Sequence, residues 1–243
     1  MSRFFVPRDA VRDDKIVVSG PEAHHIINVM RLKSGDEVTT FDGSGREYIG
    51  KITAVDKRSL TINVSESRIA PVKRNISVTL CQAIPKKDKM DYIIEKATEL
   101  GVNSIIPIET ARSVVRLDDK KAGSRVERWR RIAKEAAKQS GAQVIPDIED
   151  ISDFDGMIPR MGDYGLKVMA CLDEKRESLK EALRGGKAKN MLIFIGPEGD
   201  FTKGEIAKAR SGGARLVSLG AAVLKSDTAG LAALAMINYE YEN

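Results

Sequence analysis

Met191-Leu192-Ile193-Phe194-Ile195-Gly196-Pro197-Glu198-Gly199-Asp200 is the stretch on which the fold class turns. A short apolar run closed by Gly-Pro reads as a strand that ends in a turn. Thr202-Lys203-Gly204-Glu205 follows, a capping box that opens a helix over about 203–210. Arg215 to Leu219 is the next strand, and about 226–240 the next helix. Strand, helix, strand, helix at this spacing predicts βαβ units, hence an α/β fold with a mostly parallel sheet.

Upstream, the pattern continues. Strands are expected at Lys167–Leu172, Gln143–Ile148, Ser104–Ile108 and Ile76–Cys81, with a helix near 175–184. Met90, Ile93, Ile94, Ala97 and Leu100 recur at helical spacing, and Gly101 ends that helix. Ser124-Arg125-Val126-Glu127 reads as a second capping box. The helix behind it buries Val126, Trp129, Ile132, Ala133 and Ala136 and stops at Gly141.

The first ~70 residues alternate at the strand period instead. Asp42-Gly43-Ser44-Gly45 and Asp56-Lys57-Arg58-Ser59 are hairpin turns between alternating runs. Pro21 to Met30 is the one helix expected there. A small β-barrel or sheet results, ending at the polar connection Ala70-Pro71-Val72-Lys73-Arg74. Two domains are therefore expected, 1–72 and 73–243.

The composition is that of a globular protein: 42% hydrophobic and 31% charged over 243 residues. Disorder, collagen and a disulfide scaffold are excluded. No apolar run reaches the ~18 residues of a membrane span, and no signal segment opens the chain, so a cytoplasmic protein without membrane contact is expected. Cys81 and Cys171 sit in apolar runs and read as core residues of a reducing compartment. The histidines are only His24 and His25, so no metal centre is expected. The net charge is +5, and residues 112–138 carry ten Lys or Arg against four acids. Such a run is either a solvated helix face or a polyanion-binding one.

In an open parallel sheet, ligands sit beyond the carboxyl ends of the strands. The loops there are Gly196–Asp200, Gly220–Ala229 and Asp173–Lys175. The first is neither a P-loop nor Gly-x-Gly-x-x-Gly. Gly-x-x-Gly by itself is an ordinary strand-to-helix turn, and Glu198 by itself a solvated carboxylate.

Taken together, the motifs resemble one family. Ile195-Gly196-Pro197-Glu198-Gly199 with Phe201 and Glu205, then Leu219-Gly220, Val223-Leu224 and Thr228-Ala229, are similar to the C-terminal signature of SPOUT-class RNA methyltransferases. Within that class the chain resembles the bacterial 16S ribosomal RNA (uracil-N3)-methyltransferases. Ala23-His24-His25-Ile26, Val29-Met30-Arg31 and Phe41-Asp42-Gly43 resemble the N-terminal domain of that family. Asp91 to Val102, Arg112-Ser113, Trp129 and Gln139-Ser140-Gly141 resemble its middle.

The resemblance implies a PUA-like β-barrel and a SPOUT-type α/β domain with a C-terminal trefoil knot. It implies a homodimer, S-adenosylmethionine in the knot, no metal, and uridine N3 of 16S rRNA in the small subunit as methyl acceptor. Leu172, Ile195, Gly196, Pro197, Gly199, Leu219, Gly220, Val223 and Leu224 would then hold the cofactor through apolar walls and backbone groups. Glu198 and Asp227 are the carboxylates at the right loops for the N3 proton, and Lys225 a cation for the developing uracil anion. Arg31, Arg112, Arg116 and Lys86 are the RNA-contact candidates, with Lys87 beside them. Trp129 reads as core.

The chain departs from the family pattern at five places. Asp200 stands where a second glycine is expected, Ala222 and Lys225 where arginines are, Asp227 for glutamate, and Ala142 for arginine. Lysine keeps the charge but loses the forked donor geometry. Two alternatives stay open: methylation of another RNA nucleotide, and a non-catalytic RNA-binding or ribosome-assembly factor. A dinucleotide oxidoreductase lacks its glycine fingerprint here.

Overall fold

A computed structural model describes residues 3–69, 76–86, 89–113, 119–173, 175–185 and 188–241. The chain divides into two compact units, Met1–Val72 with Ala137–Ile145, and Lys73–Ala136 with Pro146–Asn243.

The first unit is a six-stranded sheet. Its strands are β1 (Arg3–Phe5), β2 (Val11–Arg12), β3 (Lys15–Ser19), β4 (Glu37–Phe41), β5 (Arg46–Val55) and β6 (Ser59–Ile69), in the order β1-β4-β5-β6-β3-β2. All neighbours are antiparallel except β1 and β4. Both expected hairpin turns join the strands they were expected to join. Alternation buries Ile16, Val18, Val38, Ile52, Leu60 and Ile62 on one face, against Ala23 and Ile26 of the helical turns after β3. Those turns are α1 (Gly20–His24), with Pro21 in its first turn, and a π-helical turn His25–Val29.

Residues 137–145 belong to this unit through specific bonds. Gly45 donates its amide to Gln143 O and Ile145 to Gly43 O, both at 3.0 Å. The Arg3 guanidinium donates to Ala142 O at 2.7 Å, pairs with Glu47 at 3.0 Å, and lies over the Phe41 ring at 3.9 Å. Lys138 pairs with Glu22 at 3.0 Å, both side chains largely buried.

The second unit is an eight-stranded parallel sheet flanked by helices. Its elements are β7 (Ser77–Ala83), α2 (Lys89–Glu99), β8 (Ser104–Glu109), α3 (Asp119–Ser140), β9 (Asp147–Ile148), β10 (Ser152–Asp153), α4 (Phe154–Arg160), β11 (Leu166–Ala170), β12 (Glu177–Ser178), α5 (Leu179–Arg184), β13 (Asn190–Ile195), α6 (Lys203–Ser211), β14 (Arg215–Ser218) and α7 (Ser226–Tyr241). The order is β10-β8-β7-β13-β11-β14-β12, with β9 on β8. β13, the opening stretch of the sequence reading, lies in mid-sheet and is buried from Met191 to Ile195. Burying each such side chain contributes roughly 1.5–3 kcal/mol.

Three expected elements are corrected. The helix expected behind Ser124 is already formed at Asp119, so Ser124 and Glu127 lie inside α3 and do not cap it. Lys and Ala are good helix formers, and no described atom stands within 4 Å of where a Cβ on Gly123 would lie, so the helix extends through them. The helix expected from about 175 begins at Leu179, because Ser178 and Glu181 form the capping box that fixes its start. Of the strand expected at Gln143–Ile148, only Asp147–Ile148 joins the parallel sheet, and Val144 bridges instead to Ser44.

Candidate functional site

Strand register sets the site. Ile195 of β13 stands beside Gln82 of β7 and Ala170 of β11, and Ala170 beside Val217 of β14. The loops that leave these strands therefore issue from one line at the carboxyl edge. They enclose a pocket lined by eight of the nine proposed cofactor residues: Leu172, Ile195, Gly196, Pro197, Leu219, Gly220, Val223 and Leu224. Gly199, the ninth, stands off the lining, packed 3.5 Å from Arg112 Cδ as measured from an added Cβ. Glu198 and Lys225 line the pocket as well; Asp227 does not.

The loop 196–201 is held at nearly every residue. Ser226, buried, donates its hydroxyl to Gly196 O at 2.6 Å and receives Gln82 Nε2 at 3.0 Å. Asp200 N donates to Pro197 O at 3.0 Å, closing a turn. Arg112 Nη1 donates to Gly199 O at 2.7 Å and Phe201 O at 3.4 Å. Phe201, 2% exposed, packs on Phe154 at 5.7 Å. A Cβ on Gly196 would stand 3.1 Å from the Phe201 ring, a contact that would require the ring to shift by a few tenths of an ångström.

Glu205 carries the far end. Its Oε1 accepts Ala111 N at 2.8 Å, while Oε2 accepts Thr202 N at 2.8 Å and Thr202 Oγ1 at 2.9 Å. The expected capping box is present, and it also ties α6 to the loop after β8.

Asp200, the departure from glycine, has φ +60°. Aspartate is among the few side chains that tolerate this region. Its carboxylate accepts Leu172 N at 2.9 Å, a bond that glycine cannot make.

The sequence reading missed several neighbours. Arg176 lines the pocket and donates to Cys171 O at 3.2 Å. Cys171 lines it too, its thiol pushed up by burial and so a neutral wall. Lys89, the first described residue of α2, lies 3.4 Å from Asp227 Oδ2 and 3.8 Å from Glu198 Oε1. It joins two carboxylates the sequence reading had only placed on separate loops. A lysine in Lys-Lys-Asp-Lys carries no local mark that would single it out.

The RNA-contact candidates are scattered. Arg31 is exposed in the first unit at φ +56°. Lys86 is exposed in the second. Arg112 is exposed, but its guanidinium is engaged on the carbonyls of loop 196–201. Arg116 and Lys87 lie outside the described residues. Trp129 is core, 2% exposed, its Nε1 donating to Asp91 at 3.1 Å. Among the described residues no His, Cys, Asp or Glu group gathers to hold a metal, and no helix is long and apolar enough to cross a membrane.

The parallel sheet thus carries at its carboxyl edge a pocket of backbone and apolar groups, with Glu198 and Lys225 in its lining, and it falls within the part of the chain that matches an RNA methyltransferase domain. The pattern of that domain matches residues 72–238, and that of the RNA methyltransferase PUA domain matches residues 18–65. The chain belongs to the ribosomal RNA small subunit methyltransferase E family. It is 36% identical to the Bacillus subtilis member over 93% of this chain and 90% of that one, and 29% identical to the Mycobacterium bovis member over 91% and 85%. Its fold superposes on the Neisseria gonorrhoeae ribosomal RNA small subunit methyltransferase E bound to S-adenosyl methionine with a TM-score of 0.86, at 27% identity over 99% of this chain and 98% of that one.

Proposed function

We propose that this protein methylates N3 of a uridine in 16S rRNA of the small ribosomal subunit, with S-adenosylmethionine as methyl donor. The pocket at the carboxyl edge carries the reading, because its lining combines apolar walls with a carboxylate, Glu198, and an ammonium, Lys225.

The residues fit the donor. Ile195, Leu219, Val223 and Leu224 offer apolar walls for an adenine, and Gly196 and Gly220 expose backbone groups for its edge. The donor carries no phosphate, which agrees with the absence of a Lys-bearing phosphate cradle in the sequence. When bound, it supplies a methyl already activated on a sulfonium. The protein has to align that methyl with N3 and receive the N3 proton. Alignment alone contributes up to roughly 7–11 kcal/mol in favourable cases, and a positioned base about 10²–10⁴-fold in rate. Glu198 and Asp227 are the candidate acceptors of the proton, and Lys225 a cation for the anion.

The same reading assigns a closed PUA-like barrel and RNA contact to the first unit, with Arg31, and RNA contact to Lys86, Arg112 and Arg116 in the second. It threads the chain after β14 through loop 196–201 as a trefoil knot. The bond from buried Ser226 to Gly196 O supports that path. It pairs two copies through α7 and α2, where Tyr239 is 89% and Tyr92 52% exposed. A substrate of this kind places the protein in the cytoplasm, where subunits are assembled.

The test is transfer of labelled methyl to small subunits that lack the modification, with the product nucleotide mapped. N3-methyluridine at one decoding-region site is the expected result. Donor binding without transfer would turn the reading to a binding-only factor. A product at another nucleotide would turn it to a different target.

A further inference from the structure

Lys89 stands where helix energetics do not want it. The N-terminal turn of a helix carries partial positive charge and favours acids. Lys89 is nonetheless the first described residue of α2. What it meets there are two carboxylates from different parts of the chain, Asp227 Oδ2 at 3.4 Å and Glu198 Oε1 at 3.8 Å. Both distances exceed the ~2.7–2.9 Å of a charge-assisted hydrogen bond. The ammonium is thus placed by charge without its three donors being used up. Asp227 is the nearer anchor, and its Oδ1 is buried with no hydrogen-bond partner among the described residues. Glu198 alone of the two acids lines the pocket.

We propose that Lys89 and Glu198 together read the uracil edge, with Asp227 holding Lys89 in place. This rests on the function proposed above. Uracil presents an acceptor, a donor and an acceptor in a row: O2, N3–H and O4. A carboxylate beside an ammonium is the complement of any adjacent two of them. Glu198 accepts N3–H, and Lys89 donates to a flanking carbonyl oxygen. In the transfer, the N3 proton passes to the Glu198 carboxylate. The N3 lone pair forms the new bond to the methyl carbon as the carbon–sulfur bond breaks with its electrons on sulfur. Negative charge that gathers on the carbonyl oxygen before transfer falls against Lys89. Cytosine presents an unprotonated N3, an acceptor that the Glu198 carboxylate cannot meet. Lys89 is therefore a catalytic and specificity-determining residue for this reaction, and Asp227 a positioning one.

The test compares wild type with Lys89→Met, Lys89→Arg and Asp227→Asn on small subunits lacking the modification. One set of subunits carries uridine and one 5-fluorouridine, whose N3–H is more acidic. Donor affinity is measured separately by calorimetry. Lys89→Met is expected to lower kcat on uridine by about 10²-fold, the size found when one donor to a developing anion is removed. On 5-fluorouridine the loss should shrink to about tenfold or less, because a more acidic N3 needs less stabilisation. Lys89→Arg should recover part of the rate, and donor affinity should stay unchanged in every variant. Asp227→Asn should lower kcat less than Lys89→Met. Equal losses on the two substrates, or no loss, would overturn the assignment. So would loss of donor affinity in step with rate, which would make Lys89 a wall of the pocket. Donor binding by the wild type with no transfer to either substrate would instead sink the underlying function and this inference with it.

Discussion

The two loops that form the pocket are built in opposite ways. Residues 196–201 are fastened from outside: Ser226 holds Gly196, Arg112 holds Gly199 and Phe201, Asp200 holds Leu172, and Glu205 fixes the exit. Residues 219–225 are fastened only at their ends. Ser218 exchanges hydrogen bonds with Gly220, and Lys225 O accepts from the first turn of α7. Across Ala221–Leu224 none is made among the described residues, and Val223 is 72% exposed. One loop is a preformed wall, and the other a wall free to adjust to what enters. A site that must hold a donor in fixed geometry and then admit a large RNA gains from this division, since pre-ordering one wall lowers the entropy lost on binding.

Breaking the fixed wall should cost most at Glu205. Glu205→Ala removes a helix cap and leaves the Ala111 amide without its acceptor. About 2–4 kcal/mol of stability should be lost, with donor affinity falling too. Urea unfolding and calorimetry read the two effects. An unchanged midpoint would mean that the clamp is not what orders the loop. Asp200 is next. Asp200→Ala keeps φ at +60° without the Leu172 bond, and about 2 kcal/mol should go. Asp200→Gly relieves the backbone while losing the same bond, so its stability should lie within about 1 kcal/mol of wild type. If the two variants match, the backbone angle contributes nothing. Arg112→Ala should act more narrowly. The side chain is exposed, so global stability should move by less than about 1 kcal/mol. Donor affinity should still fall roughly three- to tenfold as the loop loosens. An Arg112→Ala protein with full donor affinity and weakened subunit binding would show that Arg112 serves the RNA alone and does not order the loop.

How much of this was legible follows the range of the interactions. The parallel sheet was, because five apolar residues before Gly196 and Leu216, Val217 and Leu219 before Gly220 mark strands locally. The Thr202–Glu205 box was also legible, being complete within four residues. The second partner of Glu205, Ala111, lies 94 positions away and leaves no trace at either place. Lys89 is hidden for the same reason: its carboxylates arrive only when β7 pairs with β13 and α7 returns across them. The start of α3 was misread because a Ser-x-x-Glu pattern is equally compatible with a helix interior. Residues 137–145 read as the end of a helix and a strand. Their bonds to Arg3, Gly43 and Gly45 place them in the other unit.

The adaptable wall offers the smallest effect on stability and the cleanest check of the contrast. Ala222 is exposed, stands where the family resemblance leads one to expect arginine, and has no described neighbour bonded to it. Ala222→Arg should therefore move unfolding free energy by less than about 0.5 kcal/mol. An added cation at the pocket rim should instead tighten small-subunit binding, and the slope of log affinity against log salt should steepen by about 1 for one new phosphate contact. A side chain at Gly196 on the fixed loop has less room, because its Cβ would already stand 3.1 Å from the Phe201 ring. If Ala222→Arg instead destabilises the protein as much as Asp200→Ala, the second loop is as firmly seated as the first. The pocket would then be rigid on both sides, and entry of RNA would have to come from motion elsewhere.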